Sequence, residues 1–277
     1  MSWPADGEQG DPLEKQNFKV HLAGIISLLS DHLYSSDKVF VRELLQNAVD
    51  AIRARQITEP DARCSVRFSF IEETACLTVY DNGIGLTEDE ARQFLSSIGA
   101  SSKRELADHR STFIGQFGIG MLSCFMISPE VRLMTQSQQG GPAIEWIGRE
   151  DGTYTIEQHP SLPEPGTKVE LILKESKRQK FNGQEISRLL KYYGELLSLP
   201  IECCYYRDGE EHCEWINAEW VFPDDVFQAV AEDRDKWLQY GKTVFEFPPI
   251  DVIPLQTNSG GTKGFAYILP RESHPRN

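Results

Sequence analysis

From Val131 onward the chain breaks into short runs of alternating apolar and polar residues, with only turns between them. The runs are Val131–Gln136, Ala143–Ile147, Tyr154–Gln158 and Thr167–Leu173, parted by signals such as Gly140-Gly141 and Asp151-Gly152. Alternation sends successive side chains to opposite faces of a strand, and glycine-rich breaks mark the strand ends. The pattern is that of an antiparallel sheet. Two earlier runs, Cys64–Phe70 and Ala75–Tyr80, add strands to it.

Helical periodicity surrounds these strands. After a short strand at Phe18–Val20, the apolar stripe Leu22, Ile25, Ile26, Leu29 and Leu33 marks a helix over His21–Tyr34. Ser35, Ser36 and Asp37 are capping candidates for a second helix running to about Gln56. Thr87 caps a short helix through about Leu95. Glu185–Leu197 turns Ile186, Leu189, Leu190, Tyr193 and Leu197 inward. A β-hairpin turning at Asp208-Gly209, a helix near Asp224–Tyr240 and a strand pair, Val244–Pro254 with Gly264–Leu269, complete the order. The expected fold class is α+β: a two-layer sandwich of a mixed, mostly antiparallel sheet with helices on one face.

Four elements carry chemistry. On a helix turning 100° per residue, Glu43, Asn47 and Asp50 sit at about 0°, 40° and −20°, one narrow polar line. Val41, Leu44, Leu45, Ala48, Val49 and Ile52 lie opposite, between about 100° and 240°. One face can pack in a core while the other aims two carboxylates and an amide at a ligand, although any surface helix has a polar face. The second element, Asp81-Asn82-Gly83-Ile84-Gly85, directly follows a strand. Its glycines admit close backbone approach, and Asp81 can accept a hydrogen bond from an exocyclic amine such as adenine N6. An ordinary Asx turn has the same composition. The third, Gly115-Gln116-Phe117-Gly118-Ile119-Gly120, opens a helix that runs to Ile127, and exposed amides there suit phosphate oxygens. It follows a Ser- and Gly-rich loop rather than a strand, which disfavours a dinucleotide fingerprint. The fourth is Pro165-Gly166-Thr167, whose hydroxyl can both donate and accept.

Other chemistry is excluded or disfavoured. GxxxxGK[ST], GxSxG and HExxH do not occur. A net charge of −14 repels a phosphate backbone, so no nucleic-acid partner is expected. No apolar run approaches the ~20 residues of a membrane-spanning helix, so no membrane partner is expected. The polar start, Met1–Gln16, lacks signal-peptide regions and reads as a mobile lead-in to a cytoplasmic protein. Cys203, Cys204, His212 and Cys213 crowd one hairpin. Adjacent strand residues point to opposite faces, so a metal site there is disfavoured.

Taken together, in this order and spacing, the four elements resemble the GHKL ATPases: gyrase, the heat-shock-protein-90 chaperones, histidine kinases and MutL. The strings Tyr34-Ser35-Ser36, Phe40 to Ala51, Asp81 to Thr87, Ile114 to Gly120, Gly166 to Val169 and Trp215-Ile216-Asn217 are similar to those of the heat-shock-protein-90 (HtpG-type) family. The resemblance covers about Asn17–Asn217 and continues more faintly to Pro270.

It implies a Bergerat-type ATP-binding fold over 17–217, with a lid at about 88–113. Residues 1–16 would form the lead, and 218–277 a linker and the start of a middle domain. It implies ATP or ADP as ligand, with Mg²⁺ on the Asn47 amide oxygen. By the same resemblance, Asp81 holds the adenine amine, with Thr167 helping through water. Gly83 and Gly85 shape the wall beneath the base, and Asp50 makes an adenine- or sugar-side contact. The backbone of Gln116, Phe117, Gly118, Ile119, Gly120 and Met121 cradles the phosphates. Ala51 and Leu86 complete the nucleotide-contacting set. Glu43 is the implied general base. Client proteins and a homodimer of the full-length protein are the implied partners.

Departures from the family pattern bear on turnover. Ala100 stands where the family's lid commonly has a lysine, so charge support for the phosphates comes instead from Lys103 or Arg104, or is absent. The stretch Gly140–Glu150 is divergent. The family's catalytic arginine and dimerisation domain would lie beyond Asn277, as in a truncated or cut-down chain, so ATP binding with slow turnover is expected. A sensor-kinase catalytic domain, a DNA-dependent clamp and a nucleotide-gated binding module without turnover are the competing readings. Glu43 and the acidic balance weigh against the first two.

Overall fold

The computed structural model describes residues 37–96, 120–217, 220, 222–257 and 262–270. The strand expected over 18–20, the helix over 21–34, most of the lid segment and the turn at 115–119 lie outside the described residues.

The longest helix, α1 (Val39–Thr58), forms as its periodicity predicts. It buries Val39, Phe40, Val41, Leu44, Leu45, Ala48, Val49, Ala51 and Ile52. Burying a side chain of Val, Leu, Ile or Phe size stabilises by ~1.5–3 kcal/mol, so this stripe fixes how α1 sits on the sheet. Its N-terminal end is tied down by Asp37, which pairs with Lys177 and Lys180.

The strands are β1 (Val66–Ile71), β2 (Cys76–Asp81), β3 (Glu130–Gln136), β4 (Ala143–Arg149), β5 (Tyr154–His159), β6 (Gly166–Ile172), β7 (Ile201–Arg207) and β8 (Glu210–Trp215). They form one sheet in the order β5-β4-β3-β6-β2-β1-β7-β8. All neighbours are antiparallel except β1 and β7. The expected mixed, mostly antiparallel sheet is therefore present. Short turns join the antiparallel pairs β1–β2, β3–β4, β4–β5 and β7–β8. The parallel pair is reached only after a long crossover, as parallel pairing requires.

One face of the sheet is apolar and carries the helices. Val66, Phe68, Phe70, Leu77, Leu133, Trp146 and Leu171 join the α1 stripe in one core, with Ile186, Leu189 and Leu190 of α4 (Gly183–Gly194). Asn182 caps α4, its side chain accepting from the Glu185 amide at 2.8 Å. The other face is charged: Arg132–Glu145 and Arg67–Glu202 pairs cross between strands, and Lys168 pairs with Glu170 along β6.

The remaining described helices are α2 (Glu88–Ser96), α3 (Glu175–Arg178), α5 (Val226–Glu232) and α6 (Arg234–Phe245). The helix expected through Ile127 is present as a 3-10 helix, Met121–Met126. All six of its residues are buried, and Ser123 Oγ donates back to the Gly120 carbonyl at 2.6 Å. Such local side-chain bonding competes with α-helical pairing. The helix expected near Asp224–Tyr240 is two helices broken at Asp233, which ends α5 and whose side chain caps α6 by accepting from Lys236. The strand expected from Val244 begins only at β9 (Asp251–Gln256), because α6 runs on to Phe245 and ends on Glu246 in the left-handed conformation, φ 62°. Its partner β10 (Lys263–Ile268) pairs with it antiparallel. Trp237 of α6 stacks on Phe265 of β10, ring centroids 4.3 Å apart.

Candidate nucleotide site

The α1 line is present. Glu43, Asn47 and Asp50 are half-buried, while Leu44, Ala48 and Ala51 beside them are buried. Arg42 donates to Glu43 Oε1 at 2.6 Å. The other carboxylate oxygen faces Gly120, where a Cβ would lie 2.6 Å from Glu43 Oε2. The start of the glycine-rich segment's helix is thus against the carboxylate. The buried Cys124 thiol, pushed up to about 12 by burial, also feels the Glu43 charge.

The Asn47 amide nitrogen is buried without a hydrogen-bond partner among the described residues. Leaving a buried amide unpaired costs ~1–3 kcal/mol, so this position calls for a polar partner. Burial holds the Asp50 carboxyl above its ordinary value, against the opposing charge of Arg53.

Asp81 ends β2 opposite Thr167 of β6. It is 6% exposed, and one carboxylate oxygen accepts from the Gly83 amide at 2.9 Å. Burial pushes it from 3.8 up to about 7, despite the opposing backbone hydrogen bonds from Gly83 and Thr167. Among the described residues no cation pairs with that buried carboxyl. A structural carboxylate at this depth is normally paired; an acceptor kept without a cation is a marker of a binding or catalytic site.

The turn after β2 is bolted to α1. The Ile84 amide donates to the Ala51 carbonyl at 3.0 Å. Gly83 packs so closely that a Cβ would meet the Ala51 carbonyl carbon and Cβ at 2.6 Å. Gly85 has φ 63°, and a Cβ there would stand 1.9 Å from the Gln136 carbonyl oxygen. Neither position admits a side chain, so the D-x-G-x-G pattern is enforced by contact as well as conformation.

Sequence reading missed two residues. Thr135 Oγ1 donates to the Gly166 carbonyl at 3.0 Å, accepts from the Leu86 amide at 2.9 Å and lies 3.1 Å from Thr167 Oγ1. It therefore joins the β2 turn to the Gly166-Thr167 pair. Asn82 braces the turn from outside: its side chain accepts from Ser65 and donates to the Arg63 carbonyl and Glu164. Alternation places Thr135 inward on β3, but a lone inward threonine carries no motif.

The structure thus links Glu43 to Gly120, Ala51 to Gly83 and Ile84, and Asp81 to Thr167. Leu86 and Met121 are buried beside them. Gln116, Phe117, Gly118 and Ile119 lie outside the described residues. The Asn47 amide oxygen is a hard donor of the kind that suits Mg²⁺, which needs few protein ligands and retains water.

Residues 34–159 match the family described as histidine kinase-, DNA gyrase B- and HSP90-like ATPase. That segment is similar to the GHKL class of ATPases. Similar curated proteins carry one further name. Chaperone protein HtpG of Photorhabdus laumondii is 31% identical over 231 residues, covering 75% of this chain and 35% of its own length. That of Chromobacterium violaceum is 27% identical over 248 residues, 84% of this chain and 38% of its own. That of Chlorobium luteolum is 28% identical over 283 residues, 96% of this chain and 44% of its own. The chain belongs to the HtpG-type heat-shock-protein-90 family, and it spans less than half the length of these relatives.

Proposed function

We propose that this chain binds Mg-ATP and hydrolyses it as the ATPase part of a heat-shock-protein-90-type chaperone. The observation that carries the reading is the buried Asp81 acceptor, one strand from Thr167 and one turn from Ala51 of α1, with no cation paired to it among the described residues. The competing kinase and clamp readings lack comparable support, since the similar proteins are named chaperones.

In this reading Asp81 accepts the adenine amine, and Thr167, held by Thr135, completes the base contact through water. Asn47 would hold Mg²⁺ through its amide oxygen, and the bound ion would neutralise phosphate charge. Asp50 faces the base or sugar. Glu43 orients the attacking water and takes its proton at the free carboxylate oxygen. General-base help of this kind contributes ~10²–10⁴-fold. The backbone from Gln116 to Met121 cradles the phosphates, and the lid segment excludes bulk water. ADP occupies the same base site after release of phosphate. In the whole protein this cycle acts on client proteins, in a homodimer, in the cytoplasm.

Guanine carries a carbonyl oxygen where adenine carries its amine, and that oxygen would meet the Asp81 carboxylate. A site built to pair a donor rejects the analogue lacking it strongly, so calorimetric titration should show Mg-GTP binding at least ~100-fold weaker than Mg-ATP. Equal affinities would remove the adenine assignment.

A further inference from the structure

We propose that Cys204 and Cys213, on the charged outer face of the sheet edge, form a reversible thiol–disulfide exchange site that takes dithiol reductants. The two residues are register partners on β7 and β8 and are disulfide-bonded. Alternation sends Cys203 to the other face, into the core. The bond therefore stands apart from the nucleotide residues, on a face the proposed ATP chemistry does not use.

The two sulfurs are not equivalent. Cys204 is fully buried, whereas Cys213 is exposed. Arg67 of β1 places Nη2 3.4 Å from Cys204 Sγ. Glu211 Oε1 lies 3.5 Å from Cys213 Sγ. An incoming thiolate can reach only Cys213. Its attack forms a new bond to Cys213 Sγ and breaks the Cys213–Cys204 bond, whose electron pair leaves with Cys204 as a thiolate beside the Arg67 cation. Attack in the other sense would meet a buried sulfur and leave the negative charge beside Glu211, which Arg67 reaches at 3.9 Å, farther than its 3.4 Å contact with Cys204. The second thiol of the reductant then attacks its own sulfur in the mixed disulfide and releases Cys213, which takes up a proton. Two electrons pass, and the dithiol ends as a disulfide. Exchange rates depend on which sulfur is attacked and on how well the departing thiolate is stabilised, and both select one direction here.

The other cysteines do not compete. Cys64, Cys124 and Cys203 are buried and Cys76 is half-buried. Glu202, Cys204 and Cys213 do bring three ligand atoms within 4.8 Å of one another. Arg67 already pairs with Glu202 at 3.1 Å and contacts Cys204. A metal ion among these three would face that cation, so exchange is favoured over metal binding.

The test is to incubate the folded chain with dithiothreitol, quench with N-ethylmaleimide, and locate the modified cysteines by peptide mass analysis. The Cys204–Cys213 bond should open while the near-ultraviolet signal of the folded protein is retained. Arg67→Met should slow opening about threefold to tenfold at equal pH, and Arg67→Lys should recover most of the rate. A second variant, Cys204→Ser, should leave Cys213 able to form a mixed disulfide with glutathione. Opening only at the rate of global unfolding, indifference to Arg67→Met, or a Cys213 that resists glutathione would each overturn the proposal.

Discussion

Asp81→Asn is expected to weaken ATP binding at least ~100-fold while making the empty domain more stable above neutral pH. The first effect follows from the replacement of an acceptor. The asparagine amide keeps an oxygen for the Gly83 amide, but turns a donor toward the adenine amine, leaving two donors facing each other in a buried site. A loss of ~100-fold corresponds to ~2.7 kcal/mol of binding.

The stability effect has the opposite sign. Burial raises Asp81 from 3.8 in an ordinary carboxyl to about 7 in the folded chain. Between those values the folded chain keeps a proton that the unfolded chain has released, so stability falls as pH rises through this window. The contribution is fully present below pH ~4 and lost by pH ~7. Asparagine does not titrate and escapes that loss. Urea unfolding at pH 8 should find the variant more stable by ~1–3 kcal/mol, with the difference shrinking toward pH 4. An unchanged ATP affinity would show that Asp81 does not hold the base.

Glu43→Ala should leave ATP affinity within about threefold and reduce turnover by ~10²–10⁴-fold. Glu43 stands over Gly120 at the end of α1, with one oxygen taken by Arg42 and the other directed at the glycine-rich segment. Removing it deletes a proton acceptor without touching Asp81 or Thr167. Single-turnover hydrolysis of radiolabelled ATP measures the slow step directly, and Glu43→Gln separates charge from shape. A variant that hydrolyses as fast as the parent would place the base elsewhere. One that also fails to bind would mean that Glu43 holds the ligand rather than the water.

Much of this was legible in the sequence because the relevant signals are local. Three polar positions separated by four and three residues need only helical geometry to form one line, and α1 supplies it. Asp81-Asn82-Gly83-Ile84-Gly85 announces a turn after a strand, and the contacts of Gly83 with Ala51 and of Gly85 with Gln136 explain why no other residue fits. The parts that sequence concealed depend on partners distant in the chain. Thr135 matters because β3 pairs with β6 and brings it to Thr167. The Cys204–Cys213 bond depends on the register of a hairpin whose turn is legible, while the pairing across its strands is not. Asp233 split one expected helix into two because an aspartate inside a polar, periodic stretch is equally an interior residue and a cap. The strand expected from Val244 starts later because α6 continues to Phe245, with Tyr267 and Pro249 close against Gly241 on that helix.

The central claim is that one Mg-ATP binds with its adenine amine on Asp81 and its phosphates toward Glu43, Asn47 and the segment beginning at Gln116. A crystal structure of this chain with Mg²⁺ and a non-hydrolysable ATP analogue tests it most directly. The account predicts the adenine amine within ~3 Å of the Asp81 carboxylate and the ion within ~2.1 Å of the Asn47 amide oxygen. An analogue bound away from Asp81, or a cavity beside α1 closed by side chains at saturating nucleotide, would contradict it.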